Sequence, residues 1–146
     1  MFRRGLIRGE LLYFTCDDDL INSNAFEIFC NYYEKHPVEA MVASQDLVTE
    51  NRDGTWTVTG ERRAKKKMGL CIGESMDCKI DSGQICVSKK LVEMLGDPYW
   101  PEGKETESHA DGVFMNNLSR HECFMPIDVK IGLNRRSFHS VFNPAR

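Results

Sequence analysis

Three consecutive carboxylates, Asp17, Asp18 and Asp19, close a short run of aromatic and aliphatic residues, and this junction constrains the fold more than any other feature. Residues 10–16 are bounded by Gly9 on one side and by the acidic triplet on the other. They read as a buried strand. Asn22 or Ser23 is placed to cap a following helix that runs to about His36 and stops before Pro37. In it Phe26, Phe29, Cys30 and Tyr33 recur at helical spacing. The first unit is therefore strand, acidic turn, helix.

The rest of the chain continues in the same alternation. Residues 40–49 form a second strand, Asn51-Arg52-Asp53-Gly54 a tight turn, and residues 55–59 a returning strand. This hairpin is expected to project from the sheet edge. Residues 60–75, charged and interrupted by glycine, read as a mobile loop. A strand at 83–87 leads into a helix capped by Ser88 and reaching Leu95, then an aromatic loop at 96–101. Residues 108–120 form a helix with Val113, Phe114 and Leu118 on one side, and residues 123–133 a last strand. The order predicts a single α/β domain over residues 1–146, a mixed sheet with flanking helices.

Composition limits the function classes. With 41% hydrophobic and 28% charged residues the chain has material for a core. A net charge of -3 argues against a general nucleic-acid binder. The basic run Arg62-Arg63-Ala64-Lys65-Lys66-Lys67 is either a solvated loop or a contact for phosphate or an anionic surface. No stretch approaches the roughly 18–20 apolar residues of a membrane span. The N-terminus lacks the apolar centre of a secretory signal, so a cytoplasmic location is the default. The six cysteines form no CxxC pair, which leaves reduced thiols in or near the core as their simplest role.

Asp17, Asp18 and Asp19 admit two readings. Side chains at the carboxyl end of a strand face the crevice where α/β folds bind ligands. Adjacent carboxylates repel, and a bound Mg²⁺ or Mn²⁺ relieves that repulsion, with water and substrate phosphates completing the shell. The alternative is a solvated acidic turn that favours the next helix N-terminus. Asp111, near a helix start, is either a partner of the helix dipole or a catalytic base. Asp81 has the same standing, and His139 is either a surface histidine or a late metal ligand.

Several phrases in order carry a resemblance. They are Gly9-Glu10-Leu11-Leu12-Tyr13-Phe14-Thr15-Cys16-Asp17-Asp18-Asp19, Tyr32-Tyr33-Glu34-Lys35-His36-Pro37, Ile80-Asp81-Ser82-Gly83 and Ser88-Lys89-Lys90-Leu91-Val92. Tyr99-Trp100-Pro101-Glu102, Ala110-Asp111-Gly112-Val113-Phe114 and residues 124–128 follow. Together they resemble the second half of a family 2 glycosyltransferase of GT-A fold, nearest to those of spore-coat polysaccharide biosynthesis, over roughly residues 9–140.

That resemblance implies a fold, a reaction and roles. Asp17, Asp18 and Asp19 bind ribose, metal and diphosphate, with Asp18 or Asp19 closest to Mn²⁺ or Mg²⁺. Asp111 is the base, although Ala110 stands where the family often has Glu or Gly. Asp81 and Trp100 line the acceptor pocket. The reaction is an inverting transfer from a nucleotide-diphosphate sugar to an acceptor hydroxyl of a glycan. The resemblance also implies a preceding half holding the base-binding strands, absent from this sequence, which leaves a sheet edge open to a partner or a second copy. A truncated, non-catalytic module is the alternative. A metal-dependent phosphotransferase is a third, but the Gly- or Lys-rich phosphate loop it needs is not evident.

Overall fold

The computed structural model describes residues 9–15, 19–64, 75, 80–96 and 110–137. They build an α/β unit on a mixed six-stranded sheet. In chain order the elements are β1 (Leu11–Tyr13), β2 (Leu20–Ile21), α1 (Ala25–Lys35), β3 (Ala40–Glu50), β4 (Trp56–Arg62), a 3-10 turn (Ser82–Gln84), β5 (Ile85–Ser88), α2 (Lys89–Glu93), α3 (Ala110–Ser119) and β6 (Met125–Arg136). Across the sheet the order is β1-β5-β3-β6-β2, with β4 beside the second half of β3. Among the described residues only the β3–β6 pair is parallel.

Period-two alternation divides the core between the two faces. Ala40 and Val42 of β3, Ile85 and Val87 of β5 and the half-buried Leu12 of β1 point to one face. There they meet Leu91 and Val92 of α2 and Phe114, Met115 and Leu118 of α3. Met41, Ala43, Cys86, Leu11 and Tyr13 point to the other face, against Ala25 and Phe29 of α1. Helices thus lie on both faces. A strand buried on both sides must be apolar throughout, as Ala40-Met41-Val42-Ala43 is.

The hairpin follows its turn residues. Gly54 takes φ 79°, a left-handed conformation that glycine adopts without a Cβ penalty. Asn51 N–H donates to Thr55 O at 2.8 Å, and Asp53 Oδ1 accepts from Thr55 N and Oγ1. Those two bonds hold the Asp53 carboxyl below the usual carboxylate range. Ser88 caps α2 by accepting from Leu91 N at 3.0 Å, while its hydroxyl donates to Glu39.

Several expectations are revised. The helix cap expected at Asn22 or Ser23 is not made, because Asn22 is tied to β6: its side-chain amide donates to Lys130 O at 3.2 Å and its N–H to Ile131 O at 2.8 Å. That anchorage belongs to β2, a two-residue strand with no sequence signal of its own, which pairs with Leu133 and Gly132 of β6. In α1 the apolar stripe is split. Phe29 is fully buried, but Phe26 is 47% exposed and faces, with Cys30 and Tyr33, an open groove of about 530 Å³ beside Leu11. The start of the strand expected at residue 83 is a 3-10 turn, closed by the Asp81 and Gln84 side chains. β4 runs on to Arg62 and β6 to Arg136, both longer than expected. Most of the loop expected at 60–75 and of the one at 96–101 lies outside the described residues.

Candidate functional site

The polar residues of the molecule converge on the turn Ser82–Gln84. Asp81 opens it. Its Oδ1 accepts from Gly83 N at 3.1 Å and its Oδ2 pairs with Arg62 Nη1 at 2.9 Å. Gln84 answers reciprocally, its Oε1 accepting from Asp81 N at 3.0 Å. The Gln84 amide then donates to Ala43 O and Arg62 O, stapling the turn to β3 and β4. The Gly83 carbonyl accepts from both Tyr13 Oη at 3.0 Å and Gln45 Nε2 at 3.1 Å. Gln45 is fully buried, and among the described residues no donor reaches its Oε1, a costly arrangement for an acceptor shut from water.

Asp19 lies against the same turn. It is 9% exposed, its Oδ1 accepts from Asn134 Nδ2 at 3.0 Å, and its Oδ2 is buried against Gly83. A Cβ on Gly83 would fall far inside contact with that oxygen. On the other side Gly132 of β6 admits the backbone of Leu20, whose carbonyl would collide with any Cβ there. Two glycines on separate elements therefore clamp the chain where the acidic triplet ends.

Asp111 lies in the first turn of α3, and α3 packs on the turn Ser82–Gln84. Its carboxylate is half-buried, and its Oδ1 accepts from Gly112 N at 2.8 Å. So Asp19 and Asp81 meet around Gly83, and the element that carries Asp111 packs on the same turn. Asp17, Asp18, Trp100 and His139 lie outside the described residues. Among the described residues the groove beside α1 shares no lining residue with this region.

Among the described residues no three His, Cys, Asp or Glu side chains group closely enough to hold a metal ion. Asp19 directs its oxygens into the sheet, so the described residues do not by themselves make a cation shell, and no chemical step is derived through one.

Five contributors, Tyr13, Gln45, Arg62, Gln84 and Asn134, are absent from the sequence-based site. Asp81 and Gln84 stand at capping-box spacing, a legible signal. Gln45, polar within an apolar strand, offers a weaker one. Asn134 offers none. No family model matches this chain, and no curated protein matches it either.

Proposed function

We propose that this chain carries the diphosphate- and acceptor-binding part of a nucleotide-sugar-dependent glycosyltransferase with a partial GT-A fold. The observation that carries the reading is the gathering at Ser82–Gln84: Asp19 against the turn, Asp81 at its N-cap, and Asp111 in the first turn of the helix that packs on it. The ordered phrases that resemble family 2 transferases place these same three residues in its functional segments. The acidic triplet, with His139 as a further ligand, would hold Mn²⁺ or Mg²⁺, and such a cation would supply neutralisation of charge on a departing diphosphate.

Every other role falls to the chain's own groups. Asp111 accepts the proton of the acceptor hydroxyl as that oxygen attacks the anomeric carbon, giving inversion. Asp81 and Trp100 line the acceptor side. Arg62 orients Asp81 through its 2.9 Å ion pair. Holding donor and acceptor in line supplies much of the remaining acceleration.

A non-catalytic, transferase-like module is the second reading. What favours it is that the Asp19 and Asp81 carboxylates are already engaged by Asn134, Gly83 and Arg62. Thermal melts with UDP or dTDP, with and without Mn²⁺, separate the two. A rise in midpoint that needs both cation and nucleotide supports the transferase. No rise with any nucleoside diphosphate supports the module.

A further inference from the structure

We propose that Asn134 is a positioning residue that makes Asp19 the buried anchor of the acidic triplet, rather than one of its cation contacts; what the anchor serves rests on the transferase reading. A cation ligand needs an oxygen facing space that admits the ion and its water, and Mg²⁺ in particular keeps several waters in a strict octahedral shell. Asp19, 9% exposed, offers little of that outlook. Oδ1 takes the Asn134 amide at 3.0 Å, and Oδ2 is closed off from solvent against Gly83. Gly83 is held in turn by Tyr13 and Gln45 through its carbonyl, and by Asp81 through its N–H.

The backbone is fixed as firmly. Leu20 and Ile21 pair with Leu133 and Gly132, so Asn134 comes directly after the β6 residue that registers with Leu20. Side chain and main chain of the same short segment are therefore set by one stretch of β6. The Asn134 amide nitrogen is a donor and so suits a carboxylate oxygen, which accepts. Burial of Asp19 is the outcome of that pairing and of the space Gly83 leaves.

The test is an exchange of donor and acceptor. Asn134→Asp sets two carboxylates against each other; Asp19→Asn combined with Asn134→Asp restores one amide and one carboxylate in reversed order. We expect Asn134→Asp to lower the unfolding midpoint and weaken Mn²⁺-dependent UDP binding by about ten-fold or more, as loss of an orienting partner does. The exchanged pair should recover both, although position 19 then bears no charge. Recovery of stability without recovery of Mn²⁺–UDP binding would show that the Asp19 charge itself contacts the cation, and would overturn the proposal. If the wild type shows no Mn²⁺–UDP response, the transferase reading fails, and the anchor is judged by the midpoints alone. Recovery in the exchanged pair then upholds it, and additive losses overturn it.

Discussion

Gly83→Ala isolates the contact on which the candidate site is built. At a site whose backbone alanine accepts, this change ordinarily stabilises by about 0.4–1 kcal/mol, because the unfolded chain loses freedom. Gly83 shows no left-handed φ, so backbone strain does not enter. Space does. The added methyl would overlap Asp19 Oδ2 and stand 3.1 Å from Gln45 Nε2, both on buried residues. Overpacking of this kind costs about 1–3 kcal/mol. Pushing Asp19 aside also strains its bond to Asn134, and a hydrogen bond to a charged group contributes about 1.5–3 kcal/mol. The net expectation, after the unfolded-state gain, is a loss of about 3 kcal/mol. At about 2–4 °C per kcal/mol for a chain near this size, the midpoint falls by about 6–12 °C. Urea unfolding followed by circular dichroism measures the free energy, and a thermal scan the midpoint. In Asp19→Ala with Gly83→Ala the methyl enters vacated space, so the double variant loses less than the two single losses together. A Gly83→Ala protein as stable as the wild type, or strict additivity in the pair, would refute the clamp.

Other consequences follow from separate parts of the molecule. Phe29→Ala, which empties a fully buried site between α1 and the sheet, should cost about 3–5 kcal/mol in urea unfolding, whereas Phe26→Ala at the open groove should cost far less. Lys90 and Ser88 hold the Glu39 carboxyl below its usual range. Its folded value is depressed, so its stabilisation is complete above the ordinary glutamate value and disappears as pH falls through the folded one. Glu39→Gln should therefore lower the midpoint at pH 7 by an amount that vanishes in acid, as thermal scans across pH will read. Burial pushes the Cys86 thiol up to about 12, with Cys30 adding to the shift. Iodoacetamide at pH 8 should leave Cys86 unmodified in the folded protein and modify it after urea, by mass spectrometry. Asp111→Asn should abolish sugar transfer while leaving the Mn²⁺-dependent UDP shift intact. Full turnover by that variant removes Asp111 from the role of base.

What the sequence determined by itself was periodic or local. Residues 40–49 marked a strand, Asn51 to Gly54 marked the hairpin, and Ser88 marked the start of α2. Such signals are legible because the partners lie within one turn or one pleat, where chain geometry alone brings them together. Asp81, Asp111 and the acidic triplet were legible as chemistry, since carboxylates at element ends attract notice whatever surrounds them.

Only the tertiary structure decided how those carboxylates are used. Asn134 and Asp19 are 115 positions apart, and no local pattern links them. β2 has two residues and exists because β6 lies beside it with a glycine at the point of closest approach. Phe26 and Phe29 are alike in the sequence, yet Phe29 is buried against Tyr13 and the sheet while Phe26 lines the groove beside Leu11. Local spacing fixes what a segment can form. Which faces are covered, and which charges are held, depends on long-range pairing, whose partners are chosen by shape and space once the chain has closed on itself.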